Sequence, residues 1–353
     1  QDARQLPSQL VGRLMRGKSF AIQRLVEQAQ KWKGSPWFCP LTPVMSQPGS
    51  SLVQTLIGHQ HSVASVELLP EENTAISGSA DKTIRVWDLD KGTERHILTG
   101  HRDGIESIVI TPEGDRAISA SHDHTLKVWN LFEGKCLTTL HGHTGAVLVV
   151  TMAPDKNLVV SGSMDKTIRV WDLKSLAEVG KLIYHNAPVS ALASLSNGIL
   201  FSASVDGTIF AWDTIKRKVV KTLQNRGRGI FSIAISEDNK QLLAGLENGG
   251  IQVWDLSQNL LLKTLHGHEK RVTSISYLPD QTRFVSASAD GSIKSWDLGE
   301  EEHSYKVGEH AMQVWDLAIF PNGTHCLSAS MDQTLKVWNL DSPEIKAEGK
   351  LPS

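Results

Sequence analysis

The sequence is poor in cysteine, with three in 353 residues. Cys39, Cys136 and Cys326 are odd in number, far apart and without metal-ligand spacing, which excludes a disulfide framework and a thiolate metal site. They read as reduced thiols of a cytoplasmic protein. No run of 18 apolar residues is present, so no helix is expected to span a membrane. Neither sign of charge dominates: 36 Lys and Arg face 38 Asp and Glu, leaving −2 and no global basic field for nucleic acid. There is no leading Met and no apolar signal segment, and the chain reads as a piece of something longer. Tyrosine is scarce too, at three, whereas tryptophan reaches ten.

The tryptophans carry the organisation. Trp87, Trp129, Trp171, Trp212, Trp254, Trp296 and Trp338 are separated by 42, 42, 41, 42, 42 and 42 residues. Each is followed by Asp or Asn, and six residues before each stands Asp81, Asp123, Asp165, Asp206, Asn248, Asp290 or Asp332. Farther upstream lie Gly58-His59, Gly100-His101, Gly142-His143 and Gly267-His268, with His185 and His310 in the same slot. A fixed period of this size means a repeat architecture. Within a repeat, runs such as TIRVWDL (83–89) alternate apolar and polar residues, and short Asp- and Gly-rich turns separate them. Each unit accommodates four short strands in an antiparallel meander.

On these motifs the chain resembles the WD-repeat family across about residues 51–340. The resemblance implies an all-β fold, a seven-bladed β-propeller with one blade per repeat around a central channel. Residues 51–57, SLVQTLI, look like the stretches that precede Gly-His in later repeats, whereas 341–353 offers no strand after Asn339. Residues 51–57 are therefore expected to close the ring as the outer strand of blade seven, which avoids a long open edge.

Every complete repeat holds a Ser-His-Asp set, but a catalytic triad occurs once in a site and not around a ring. The expected role is structural: a buried serine, imidazole and indole satisfy one another. The sets are His59, Ser77, Asp81 and Trp87; His101, Ser119, Asp123 and Trp129; and His143, Ser161, Asp165 and Trp171, with later repeats alike. Blade five departs, with Arg226 for His, Ala244 for Ser and Asn248 for Asp. Its network is not expected to form, and the blade is expected to be locally soft. Residues 12–19, GRLMRGKS, spell a phosphate-loop motif, but the strand and parallel sheet that make such a loop work have no place here. No cofactor and no metal site is expected.

Residues 1–34 carry +5 and recurrent apolar residues (Leu6, Leu10, Leu14, Ile22, Leu25, Val26) at helical spacing, a short helical N-terminal segment. Residues 35–50 hold four prolines and read as an extended linker. The stretch QLPSQLVGRL, then IQRLVEQAQKWKGSPWFCPLTP and a Gly-His repeat, resembles the junction before the WD repeats in large bacterial STAND-type ATPases. That resemblance implies a ligand-sensing portion whose ATPase domain lies upstream.

The leading expectation is a non-enzymatic protein-interaction platform, the sensor end of such a switch. An independent WD-repeat scaffold assembling a complex is the alternative, and an enzyme using the propeller face is disfavoured for want of any acid pair or Cys-His pair outside the repeat grammar. In WD-repeat propellers peptides are often received on the narrow face, through residues flanking the Val or Ile after Gly-His and the residue before the turn Asp. Carried over, these slots hold Ser62, Ala64 and Ala80; Glu106 and His122; Leu148 and Met164; Pro188 and Val205; Phe231 and Glu247; Arg271; and Gln313, Trp315 and Met331. Aromatic and Met side chains beside isolated charges compose a hot spot, with Trp315 and Phe231 as anchors and Arg271 pairing a carboxylate. The partner is expected to be a protein or peptide, with no nucleic acid and no membrane span.

Overall fold

The computed structural model describes residues 51–341 apart from 70–72, 154–156, 196–197, 215, 217, 225–227 and 300–303. Segment 1–34, its phosphate-loop motif, linker 35–50, Cys39, Arg226 and nearly all of tail 341–353 lie outside the described residues.

β-Branched and apolar residues at alternate positions give 28 strands, which pair into seven antiparallel four-stranded sheets. Strand β1 (Leu52–Ile57) comes first; blade one is β2 (Val63–Leu68), β3 (Thr74–Ser79), β4 (Thr83–Asp88) and β5 (Thr93–Thr99), paired in that order. Blades two to six repeat the pattern. Blade seven holds only β26 (Val314–Ile319), β27 (His325–Ser330) and β28 (Thr334–Asn339) from its own stretch of chain, and β1 completes it by pairing with β28, Leu56 opposite Leu335. The first strand of every blade packs against its neighbours around the ring: β2, β6 (Ile105–Ile110), β10 (Val147–Met152), β14 (Val189–Ser194), β18 (Ile230–Ile235), β22 (Val272–Tyr277) and β26. The architecture is an all-β, seven-bladed propeller.

The apolar core lies between blades. Trp87, 1% exposed, shares a cluster with Val63 and Val66 of its own blade and Leu327, Leu335 and Val337 of blade seven. Trp129 sits likewise in the seam of blades one and two, and Trp338 in that of six and seven. A blade cannot bury its own sheet face, so each tryptophan is half of a contact that the preceding blade completes.

One polar side chain ties the inner ring where the first and last blades of the propeller meet. The Asp316 carboxylate accepts from the Ser65 hydroxyl (3.1 Å) and Val66 N–H (3.0 Å) of blade one, the Ser274 hydroxyl of blade six (3.0 Å) and Leu317 N–H (2.8 Å). Burial nevertheless pushes its carboxyl up. Glu67, on β2 in the same lower channel wall, is raised to about 8 by burial and by the charge of Asp316.

Candidate functional site: the channel mouth

The polar chain that links each blade's serine, imidazole and indole comes first, because it fixes the loops that form the mouth. In blade one Trp87 Nε1–H donates to Ser77 Oγ (2.8 Å), Ser77 Oγ–H donates to His59 Nε2 (2.8 Å), and His59 Nδ1–H donates to Asp81 Oδ2 (2.8 Å). The direction follows from the donors: the indole can only donate, so the hydroxyl proton turns to the imidazole and the ring proton to the carboxylate. Asp81 also takes Gln60 N–H, Thr83 N–H and the Thr83 hydroxyl, which welds the His loop to the turn between β3 and β4. Partial burial pushes the Asp81 carboxyl up, but the bonds from His59, Thr83 and Gln60 outweigh it and hold it well below the usual range. The same chain runs through His101, Ser119, Asp123 and Trp129, and through His143, Ser161, Asp165 and Trp171. Blades six and seven repeat it. Ser77, Ser119 and Ser161 are fully buried, each accepting from an indole N–H and donating to an imidazole, so none is a nucleophile open to substrate.

Two blades differ. In blade four Asp206 does not reach the imidazole, contrary to the complete set read from the sequence: His185 Nδ1 meets Thr208 Oγ1 at 3.1 Å instead. Here Tyr184 stands in the glycine slot, edge-on to Trp212, and Phe210 packs 4.7 Å from the His185 ring. Burial lowers His185 to about 4, against a weaker raising effect of Asp206. In blade five the Trp254 indole donates to Gln252 of its own strand (3.1 Å), and Asn248 reaches only Gly250 N–H at 3.4 Å.

Above these chains lies the mouth. Each of the seven inner strands carries a register break at its second residue: between Val63 and Ser65 in blade one, Ile105 and Ser107 in blade two, and so on to Val314 and Asp316 in blade seven. The extra residues are Ala64, Glu106, Leu148, Ser190, Phe231, Thr273 and Trp315, and all seven line one cavity at the channel axis. A bulge re-aims a side chain, and seven in register aim a ring of them at one point. The residue before each turn Asp is held beside this ring by a backbone bond, as Ala80 N–H to Ser62 O and Met164 N–H to Ala146 O. His122, Glu247 and Met331 sit in the same slot on their blades.

The structure thus gathers Glu106, Leu148, Phe231 and Trp315 in the cavity wall, with Arg271, His122, Met164, Glu247 and Met331 on its rim. The Arg271 guanidinium lies over two rings, 5.2 Å from the centre of Phe231 and 5.0 Å from that of Trp315. Trp315 is fixed by its indole N–H, which donates to Ser62 Oγ (2.9 Å), so it does not simply fill its own blade. His122 Nε2 bonds Glu106 Oε1 at 2.9 Å, and that carboxylate raises the imidazole. Met164 and Met331 are 50% and 36% exposed. Ser190 and Thr273 belong to the ring and are absent from the residues singled out by sequence. Counting one residue past Val189 and Val272 finds both.

Among the described residues no group of three or more His, Cys, Asp or Glu is arranged to hold a metal ion, and no helix is long and apolar enough to cross a membrane. Cys136 is exposed and Cys326 buried, and neither is in a disulfide.

Short stretches of the chain are similar to known proteins. One of 40 residues is 45% identical to nuclear distribution protein nudF 1 of Talaromyces marneffei, covering 11% of this chain and 9% of that one. Another of 52 residues is 42% identical to small ribosomal subunit protein RACK1 of Caenorhabditis elegans, covering 15% of this chain and 16% of that one. These matches span a small part of either relative's length. The family model for the WD domain, G-beta repeat, matches residues 50–88, 92–130, 134–172, 177–213, 217–255, 259–297 and 301–339, each segment holding the outer strand of one blade and the inner three strands of the next, and the chain belongs to that family.

Proposed function

We propose that the protein is a non-enzymatic interaction platform that holds a protein or peptide segment at the channel mouth. What carries the reading is the convergence of the seven bulge residues, which sets Trp315, Phe231 and Leu148 around one opening with Arg271 across two of the rings. Partly exposed aromatics on a rigid frame, with charge at the rim, are the make-up of binding hot spots. The loops of blades three, six and seven, which carry Leu148, Arg271 and Trp315, are tied down by the buried chains below them. In a full-length protein the platform is the ligand-sensing C-terminal part of a bacterial STAND-type ATPase acting in the cytoplasm. The junction-like sequence of 1–50 supports this context, and an ATPase domain encoded upstream in the same gene would establish it. A gene without one makes the chain an independent scaffold.

The test is a pull-down from native extract with the parent chain and with Trp315→Ala. The variant should keep its thermal midpoint and bind the recovered partner more weakly by about 2 kcal/mol or more. Equal binding by both proteins removes the channel mouth from consideration.

A further inference from the structure

Resting on that reading of the mouth, we infer that its occupant presents an acidic side chain, whose carboxylate is gripped edge-on by Arg271. Three other arginines of the propeller are paired: Arg85 with Glu94, Arg169 with Glu178 and Arg283 with Asp280. The Arg271 guanidinium makes no hydrogen bond or ion pair with any described residue, although it is only partly exposed. Glu247, on the turn beside Phe231, is exposed and does not pair with it. Of the two carboxylates in the cavity wall, Asp316 is already held by four donors and Glu106 is taken by His122.

The two rings decide the shape of the ligand group. Phe231 comes from blade five and Trp315 from blade seven, flanking the blade-six arginine, and the guanidinium carbon lies over both rings, a contact that uses none of the N–H donors along its edge. The edge is a planar fork of N–H groups, which matches the two oxygens of a carboxylate lying in the same plane. Stacking also strips water from the cation, and a partly desolvated charge gains more from a partner than a solvated one.

Depth decides where the carboxylate comes from. Asp316 and Glu67 lie farther down the channel, so a chain end pushed along the axis would drive its negative group toward two carboxyls. A segment lying across the mouth keeps its acidic side chain at the rim and sets an apolar neighbour against Leu148 and Met164 on the far side.

A phage-displayed library of random 12-residue peptides, selected on the full chain, tests this. Enriched sequences should share Asp or Glu with a nearby apolar residue. For the best synthetic peptide, acid-to-amide replacement (Glu→Gln) should weaken binding at least about tenfold on the parent and by little on Arg271→Gln. Three results overturn the inference: no binding peptide, equal binding of acid and amide forms, or binding that requires a free peptide C-terminus or prefers phosphoserine to Glu. If the amide form binds equally but Trp315→Ala abolishes binding, the acidic preference alone falls. If peptides bind Trp315→Ala and Leu148→Asp as they bind the parent, the mouth itself is not the binding surface.

Discussion

Asp165 shows what one side chain does in this fold. Its carboxylate takes His143 Nδ1–H at 2.8 Å, Thr144 N–H at 3.0 Å, and the N–H and hydroxyl of Thr167 at 2.9 and 2.6 Å. Asp165→Ala strands these donors and should cost about 1–3 kcal/mol. Asn248→Ala, which breaks one long bond in blade five, should cost clearly less, and urea midpoints of the two variants measure the difference. Equal losses would mean that the chain of bonds is not what stabilises the turn. The network was legible beforehand because its four residue types recur at fixed offsets. Asp316 was not singled out, although its register position holds Ser65, Ser107, Ser232 and Ser274 in four other blades and a lone carboxylate there is an anomaly in the sequence itself. The grip of Phe231 and Trp315 on Arg271 had no sequence signal beyond the slots, since it joins three blades and depends on how far each ring leans.

Strand β1 is the element on which the ring depends. Leu56 is 1% exposed in the seam of blades seven and one, whereas Ile57 beside it is 76% exposed, the alternation of a strand with one covered face. Deleting residues 1–57 leaves β28 as an unpaired edge and opens that seam, while deleting 1–34 leaves every described contact in place. The longer truncation should lower the thermal midpoint sharply or fail to fold, and the shorter should melt near the parent. Matching midpoints would show that the strand is dispensable. The likeness of SLVQTLI to later fourth strands made this pairing readable, because identical neighbours demand similar residues. Blade four was read less well: its His, Ser and Asp are all present, and only the packing of Phe210 and Tyr184 around the imidazole reveals that the carboxylate is not its partner.

For the whole molecule the repeated histidines set a common pH response. Burial lowers His101, His143, His185 and His310, so each is neutral in the fold at a pH where the unfolded chain, with an ordinary value of about 6.5, is becoming protonated. A lowered folded value gives stability that is complete above the unfolded value and is lost as pH falls toward the folded one. These four histidines should therefore pull the thermal midpoint down below about pH 6.5, against Glu67, Asp316 and His122, whose raised values add stability as pH falls, so in Glu67→Gln the decline between about pH 6.5 and 5 should be steeper than in the parent. A Glu67→Gln midpoint unchanged from about pH 6.5 down to 5 would contradict this. The number of blades was legible from the tryptophan spacing alone, because a closed ring of sheets tolerates only one residue of variation per repeat here. Closure by strands from opposite ends also has a cost in time. Leu52 must find Trp338, about 290 residues later in the chain. At roughly 5–20 residues per second of synthesis, the first strand of the propeller to leave the ribosome waits about 15–60 s for its partner. Throughout that interval an apolar edge is exposed to every other nascent chain nearby, and the last blade to be translated is the one that ends the hazard.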